Sequence, residues 1–161
     1  MNKILTIRKG IEIAQKLKKE NKTIVIVGGF FDILHLGHIK FLEEAKKYGD
    51  YLFILLEEDI KAKKEKGEKR PINPQGNRAK ILSSLQNVDY IIMLKNMTSN
   101  RIYDKIMAKI RPNTIATTFG DPNVVHKIRQ AESIKGKVVN VIRRIDDHST
   151  TKYIDLINNK K

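Results

Sequence analysis

The sequence predicts an α/β domain in which a parallel sheet carries helices on both of its faces. Short apolar runs that suit buried strands alternate along the chain with amphipathic stretches of helical period. A glycine-rich turn joins the first of these runs to the helical pattern after it. This alternation favours right-handed crossovers between parallel strands, because each helix must pack back onto the sheet.

Five apolar runs predict a five-stranded parallel sheet of the Rossmann-like kind. The strands are expected at residues 23–27, 51–56, 88–94, 114–118 and 137–142. The second run, YLFILL, is apolar throughout, which is typical of a strand buried on both faces. Because ligands bind such sheets beyond the carboxyl ends of the strands, the residues that follow each run are the first candidates for function.

Helical patterns fill most of the chain around these strands. An amphipathic helix is predicted over residues 4–20, ahead of the first strand. Further helices are expected at residues 36–48, 75–85, 99–110, 123–134 and from Ser149 or Thr150 to 157. Residues 57–70 are polar and dense in lysine, and we expect them to form a flexible loop.

Length and composition favour one globular domain. The 161 residues suffice for a sizeable core, and we expect a single domain over residues 1–161, with an N-terminal helix at 4–20 and a core at 23–157. No apolar run approaches the roughly 20 residues of a membrane span, and no signal-peptide pattern is present. The chain has no cysteine, which excludes disulfides and cysteine-based zinc sites. We therefore expect a cytoplasmic protein without membrane contact.

The chain carries a net charge of +14. A charge of this size suits a polyanionic ligand such as a nucleotide, a phosphorylated substrate or a nucleic acid. Because lysine is spread along the whole chain, the same charge also suits ordinary solvated faces. Aromatic residues make up only 6% of the chain and do not alternate with basic ones, so nucleic-acid binding is not favoured.

The strongest chemical signal follows the first predicted strand. The segment GGFFDILHLGH, residues 28–38, places His35 and His38 at the start of a helix. Backbone N–H groups and the helix dipole attract phosphate there, and imidazoles can donate hydrogen bonds to charge that builds on it. Helix caps or core histidines are the plainer alternative. A zinc site is not favoured, because no Glu or Asp stands where an HExxH-type motif needs it.

This segment resembles the first signature of the cytidylyltransferase-like nucleotidyltransferases, Gly-x-Phe-Asp-x-x-His-x-Gly-His. Its fixed positions are matched by Gly29, Phe31, Asp32, His35, Gly37 and His38. The resemblance implies that a substrate phosphate oxygen attacks the α-phosphorus of a nucleoside triphosphate and releases pyrophosphate. It implies that both histidines are catalytic and stabilise the transition state. The turn, including Phe30, would bind the nucleotide, and Asp32 would orient the turn.

The start of the last predicted helix carries a second signature. Ser149, Thr150 and Thr151 resemble the Ser-Thr-Thr motif of the same family. Hydroxyls and free N–H groups at a helix N-terminus suit the β- and γ-phosphates of a triphosphate. On its own the tripeptide is an ordinary helix cap. Arg144 aligns with an arginine of the glycerol-phosphate cytidylyltransferases, and its plainer alternative is a surface arginine.

The middle of the chain narrows the resemblance. Its residues look like those of the adenylyltransferases that make ADP-activated heptose, namely Asp59, Lys63, Lys66-Gly67, Arg70-Pro71-Ile72-Asn73-Pro74 and Arg78. Lys63 and Lys66 would act in catalysis by holding the substrate phosphate and the triphosphate as point charges. Arg78 would contact a phosphate or fix the loop. The lysine-rich segment would close over the ligand as a lid.

The chain departs from the family pattern where the base and the substrate would be recognised. The family's Gly-Asp pair is present as Gly120 and Asp121 and is expected to bind the nucleotide, but Thr118-Phe119 replace the Lys-Gly before it. Asp147 replaces the glycine before the last motif, and Gly76 replaces an acidic residue. The changes at Thr118-Phe119 and at Asp147 leave open both the choice of ATP or CTP as donor and the identity of the acceptor.

The resemblance implies ATP and a heptose 1-phosphate as substrates, with Mg²⁺ bound to the triphosphate, and a homodimer. No carboxylate cluster forms a metal cage in the sequence, so no protein ligand to the metal is named. A cytidylyltransferase for glycerol 3-phosphate or a similar phospho-alcohol is the first alternative, and an FMN adenylyltransferase is the second. A non-catalytic nucleotide sensor or nucleic-acid binder is the alternative from another class.

Overall fold

The computed structural model describes residues 2–143 and 149–158 of the chain. Strands and helices alternate along this part of the chain. In chain order they are β1 (Ile4–Thr6), α1 (Ile7–Lys19), β2 (Ile24–Gly29), α2 (Leu36–Lys46), β3 (Tyr51–Leu56), α3 (Asp59–Lys66), α4 (Gln75–Ser83), β4 (Tyr90–Met93), α5 (Asn100–Ile110), β5 (Thr114–Thr118), α6 (Val124–Ser133), β6 (Lys137–Ile142) and α7 (Thr150–Asn158).

The strands form one sheet in the order β1-β4-β3-β2-β5-β6, and all neighbours pair in parallel. The α/β fold and its parallel sheet are therefore confirmed. From β2 the chain first builds the sheet towards β3 and β4, and it then returns to add β5 on the other side of β2. The strand order thus reverses between β2 and β5, and the crevice at the carboxyl ends of these two strands is where such folds bind ligands.

In the part of the chain that the structure describes, the sheet has six strands, so the prediction of five was wrong by one strand. The additional strand, β1, occupies Ile4–Thr6, which the sequence assigned to the first turn of the N-terminal helix. Its register is Ile4 opposite Ile91 and Thr6 opposite Met93. A strand of three residues is too short to show a period of its own, and only its pairing with β4 reveals it. Thr6 then caps α1, because its hydroxyl accepts a hydrogen bond from the Lys9 N–H at 3.3 Å.

The lysine-dense segment 57–70 was predicted to be a loop, but it contains helix α3. Lysine, alanine and glutamate are good helix formers, and they make up most of this helix. Its polar sequence hides it, because Ala62 is its only buried residue and no apolar stripe marks the helical period. The other helices and strands lie where they were predicted, with ends that differ by at most three residues.

Two apolar layers pack on the two faces of the sheet. Alternate residues of β2 show the division, since Ile24 and Ile26 join one cluster and Val25 and Val27 join the other. The first cluster lies under α1 and α5, and the second lies under α2 and α4. Each fully buried aliphatic side chain contributes on the order of 2 kcal/mol. The central strands are therefore a rigid base for the residues at their carboxyl ends. Within residues 2–143 and 149–158, the helices are too short or too polar to cross a bilayer.

Candidate active site

The glycine-rich turn leaves β2 at the point where the strand order reverses. Gly29 ends the strand, and a Cβ atom at this position would lie 2.9 Å from the ring of Phe31. Phe31 itself has a φ of 48°, in the left-handed region, and its ring is buried. The close approach of the ring to the backbone therefore requires glycine at position 29. Phe30, next to them, is half-buried and turns its carbonyl towards Arg78.

The turn brings the two histidine side chains together. His35 is the residue before α2, and Gly37 and His38 lie in its first turn. The ring centroids of His35 and His38 are 3.8 Å apart, with 30° between the ring planes. The centroid of the Phe31 ring lies 5.2 Å from that of His38. The sequence prediction that the pair shares one place on the turn agrees with this geometry.

His38 is held in its neutral form. The pKa of His38 is lowered to about 4, first by burial and then by the neighbouring charge of His35, while a hydrogen bond to the Ile33 backbone opposes the shift. The Nδ1 atom of His38 is buried and has no hydrogen-bond partner among the residues that the structure describes. A buried polar atom without a partner is uncommon in proteins and is typical of a site built for a ligand.

The start of α7 lies against the same turn. The Thr150 hydroxyl donates a hydrogen bond to the Ile33 carbonyl at 3.2 Å, and the Tyr153 ring lies 6.0 Å from that of His35. Ser149 caps the helix, since its hydroxyl accepts from the Lys152 N–H at 3.2 Å. Thr150 is buried, whereas Ser149 and Thr151 are exposed. The N-termini of α2 and α7 thus lie side by side, and this arrangement favours an anion.

Asp32 ties the histidine turn to the segment before α4. Its carboxylate accepts hydrogen bonds from Arg70 Nε at 2.6 Å, from the Ile72 N–H at 2.9 Å and from the Asn73 N–H at 2.9 Å. Its side chain is 1% exposed. Charge-assisted bonds of this kind are strong, so the carboxylate ties the turn to residues 70–73. Each of these hydrogen bonds joins the Asp32 carboxylate to another residue of the protein.

Arg78 connects three loops at the carboxyl edge of the sheet. Its side chain is 0% exposed, and its guanidinium donates to the carbonyls of Phe30, Asn73 and Glu57 and to the Asp59 carboxylate. The distances to Asn73 and Glu57 are both 2.9 Å, and the distance to Asp59 is 2.6 Å. Of the two roles that the sequence left open, a phosphate contact or a fixed loop, this geometry favours the fixed loop.

Lys63 and Lys66 lie exposed on α3, which begins just after β3. That end of β3 borders the histidine turn, because the Glu57 N–H donates to the Gly29 carbonyl at 3.0 Å. The two lysines therefore belong to the same edge of the sheet as the histidines. Gly67 ends the helix with a φ of 101°, a conformation that L side chains rarely adopt.

The loop after β5 brings Gly120 and Asp121 to the same edge. Gly120 has a φ of 74°, and the Asp121 carboxylate accepts from Lys127, from the Thr117 hydroxyl and from the Asn123 N–H. Burial raises the pKa of Asp121, but the hydrogen bonds from Lys127, Thr117 and Asn123 outweigh it and hold the pKa below its usual range. Asp121 is thus a charged anchor of its own loop.

Arg144, expected to contact the nucleotide, lies outside the described residues, as does Asp147. Three other side chains at this edge were not singled out from the sequence, namely Glu57, Lys61 and Tyr103. They form one hydrogen-bonded cluster. The spacing of Glu57 and Lys61 by four residues is the only local signal for it, since Tyr103 comes from another helix.

The sequence matches known proteins over most of its length. The family model described as cytidylyltransferase-like matches residues 26–157. Proteins named Bifunctional protein HldE are similar: the one from Aliarcobacter butzleri is 38% identical over 146 residues, and the one from Yersinia pestis (strain Pestoides F) is 35% identical over 151 residues. These matches cover 85% and 92% of this chain, but 30% of each relative, so the chain spans less than a third of their length.

Solved structures share the fold. The lipopolysaccharide core biosynthesis protein from Thermoplasma volcanium is 26% identical, with a TM-score of 0.60, over 77% of this chain and 97% of that one. Pantoate-beta-alanine ligase from Francisella tularensis, solved with beta-gamma ATP and beta-alanine, has a TM-score of 0.65 at 17% identity, over 97% and 76% of the two chains. The second likeness is one of fold alone. With its paired histidines beside the last helix and the match over residues 26–157, the chain belongs to the cytidylyltransferase-like family of nucleotidyltransferases.

Proposed function

We propose that the protein joins the nucleotidyl group of ATP to a sugar 1-phosphate, a heptose 1-phosphate in the first place, and releases pyrophosphate. One observation carries the reaction type. The adjacent rings of His35 and His38 lie against the N-terminus of α7, which Thr150 fixes to the same turn. The histidines could therefore donate hydrogen bonds to the reacting phosphate, while the N-terminus of α7 beside them could bind the other phosphates of the triphosphate.

In this reaction an oxygen of the sugar phosphate attacks the α-phosphorus of ATP. A new P–O bond forms on one side, the bond to the bridging oxygen of the β-phosphate breaks on the other, and pyrophosphate leaves. Imidazole N–H groups at this place are suited to donate to the oxygens on which charge builds. Because His38 is neutral, it gives the site no fixed positive charge of its own. The N–H groups and hydroxyls at the start of α7 hold the departing phosphates.

ATP enters as its Mg²⁺ complex, which is the usual substrate form of a triphosphate. Over residues 2–143 and 149–158, no three side chains of His, Cys, Asp or Glu come together as metal ligands would. The carboxylate nearest the histidines in sequence, Asp32, is taken up by Arg70 and two backbone N–H groups. We therefore name no protein ligand to the metal.

Two further points support ATP and a sugar phosphate. The relatives named Bifunctional protein HldE are 35% to 38% identical to the chain, and the pattern of Lys63, Lys66 and Arg70 is the one that resembles heptose adenylyltransferases. The solved structure of the lipopolysaccharide core biosynthesis protein from Thermoplasma volcanium is 26% identical to the chain, which agrees with a sugar-phosphate acceptor. A homodimer and a cytoplasmic location complete the proposal.

The experiment is a pyrophosphate-release assay with Mg²⁺, in which ATP and CTP are crossed with heptose 1-phosphate, glycerol 3-phosphate and FMN. We expect release with ATP and heptose 1-phosphate and little with other pairs. The His38→Ala variant should lower turnover about 100-fold or more, as the loss of one transition-state donor does. His126→Ala is the matched control, because His126 is exposed on α6.

Each other result has a definite meaning. Release with CTP and glycerol 3-phosphate alone overturns both the donor and the acceptor but keeps the reaction type. A folded protein that binds ATP and releases no pyrophosphate in any pair overturns the reaction. Normal turnover of His38→Ala overturns the role of the histidine.

A further inference from the structure

Helix α3 presents Lys63 and Lys66 at the carboxyl edge of the sheet, yet it has little apolar packing of its own. It is eight residues long, and Ala62 is its only buried residue. A helix this short is unstable in isolation, because too few hydrogen bonds offset the ordering of its first turn. Its place on the molecule therefore depends on polar contacts.

We propose that Tyr103 of α5 is a positioning residue for nucleotidyl transfer, which fixes α3 to the sheet edge and so places Lys63 and Lys66 for phosphate binding. The proposal rests on the proposed function, because it assigns the two lysines to the substrates. Tyr103 contacts neither lysine directly. It acts through Glu57 and Lys61, which lie at the start of the same segment.

The three side chains form a closed hydrogen-bonded cluster. The Tyr103 hydroxyl lies 2.9 Å and 2.7 Å from the two carboxylate oxygens of Glu57. Lys61 Nζ donates to Glu57 Oε1 at 2.8 Å and to the Tyr103 hydroxyl at 2.7 Å. The same ammonium lies 4.7 Å from the centroid of the Tyr103 ring, a distance at which a cation is attracted to the ring face. The tyrosine thus holds Lys61 by its hydroxyl and by its ring.

The hydroxyl must both donate and accept in this cluster. Burial, and then the hydrogen bond to Glu57, raise the pKa of Tyr103 well above its usual range, so the phenol keeps its proton at any working pH. The Tyr103 O–H donates a hydrogen bond to the Glu57 carboxylate, and its oxygen accepts one from the Lys61 ammonium. Phenylalanine keeps the ring but supplies neither bond.

Glu57 joins this cluster to the catalytic turn. It is 8% exposed, its N–H donates to the Gly29 carbonyl at 3.0 Å, and its own carbonyl accepts from Arg78 at 2.9 Å. A buried carboxylate needs its partners, since an unpaired charge is costly away from water. One residue therefore connects the turn of the histidines to the tether of α3.

Within the described part of the chain, the other hydrogen bonds from α3 and the residue before it to distant segments are at residues 58 and 59, and Ala62 adds one buried side chain. The Glu58 carboxylate accepts hydrogen bonds from the N–H groups of Asn96 and Met97 at 3.1 Å and 2.9 Å. The Asp59 carboxylate accepts one from Arg78. Lys61 is the next anchored position, and the helix beyond it carries the exposed lysines. Loss of the Tyr103 hydroxyl should therefore loosen the lysine-bearing half of α3 while its start stays in place.

The chain has no cysteine, so one nitroxide label can be attached at Lys64→Cys, an exposed position on α3. Electron paramagnetic resonance then compares the label in this background, in Tyr103→Phe and in Tyr48→Phe. Tyr48 is 40% exposed just beyond the end of α2, away from α3, and its variant is the matched control. We expect a more mobile label in Tyr103→Phe and no change in Tyr48→Phe.

The kinetic arm uses the unlabelled full chain. Tyr103→Phe should raise the KM for ATP or for the sugar phosphate about 3- to 10-fold and leave kcat within about twofold, as loss of uniform binding does. In a Lys63→Ala, Lys66→Ala background the same change should have no further effect on KM, because the lysines it positions are gone. Lys61→Met, which removes the tether from the other side, should reproduce the KM effect.

An unchanged label spectrum in Tyr103→Phe overturns the proposal, and so does a KM effect that persists in full without the two lysines. Failure of the proposed function is a separate result. A wild-type protein without pyrophosphate release refutes the reaction, while the label spectra and ATP affinity by calorimetry still report on α3. A mobile label together with weakened ATP binding supports the positioning role even then.

Discussion

The Thr150 hydroxyl donates to the Ile33 carbonyl at 3.2 Å across 117 positions of the chain. This hydrogen bond joins the two segments that carry the family signatures. It places the N-terminus of the last helix against the turn that holds His35 and His38. Two motifs that are distant along the chain thus meet at one place, as the proposed binding of a triphosphate requires.

Thr150→Val removes this hydroxyl and nearly keeps the side-chain shape. We expect the KM for ATP to rise about fivefold, because the net contribution of one such hydrogen bond is about 1 kcal/mol. The melting temperature should fall by only a few degrees. Steady-state kinetics measure the KM. Thr98→Val, at an exposed threonine, is the control variant. Equal KM values for both variants would contradict the role of Thr150.

Asp32→Asn tests the carboxylate that ties the turn to residues 70–73. The substitution removes the charge that pairs with Arg70 at 2.6 Å and leaves a poorer acceptor for two N–H groups. The free energy of unfolding should fall by about 2–3 kcal/mol, as for a buried charge-assisted hydrogen bond. Urea unfolding measures this. Asp104→Asn, which breaks a more exposed pair with Arg129, should cost less than about 1 kcal/mol.

Arg78→Met distinguishes the two roles left open for this arginine. If Arg78 fixes the loops, three carbonyls and Asp59 lose their donor, and the free energy of unfolding should fall by at least about 3 kcal/mol. Arg129→Met, at an exposed pair, should cost less than about 1 kcal/mol. Unfolding curves and ATP titrations of both variants supply the data. Unchanged stability with lost ATP affinity would instead identify a phosphate contact.

The neutral state of His38 makes stability depend on pH. Its pKa is lowered from 6.5 to about 4, so the unfolded chain binds more protons between these values and stability rises with pH across that window. Below pH 6.5 the contribution is lost progressively, and at pH 5 the loss is about 2 kcal/mol. Urea unfolding at pH 7 and pH 5 checks this.

His38→Gln is the reference for that measurement, because other groups also titrate on the way to pH 5. The variant should lose about 2 kcal/mol less than the wild type between the two pH values. Parallel losses in the two proteins would show that His38 titrates normally. Turnover of the wild type should also persist down to about pH 5, since His38 is already neutral there.

Local features of the sequence were enough for most of the fold. Apolar runs located five of the six strands, and amphipathic periods located most of the helices. The missing strand, Ile4–Thr6, has no period of its own and exists through its pairing with residues 91–93 of β4. Helix α3 was not predicted because it is held by polar contacts and shows no apolar stripe.

Local patterns along the chain are sufficient to predict which residue types stand at the ends of the strands. The glycine-rich turn with two histidines and the hydroxyl cap of the last helix are such patterns, set by backbone geometry and capping. Which of these residues meet depends on the three-dimensional packing. Contacts between distant segments create three of these arrangements. Arg78 donates to the Glu57 carbonyl, Arg70 donates to Asp32, and Tyr103 bonds to Glu57. Such contacts follow from packing around the sheet, and no pattern along the chain records them.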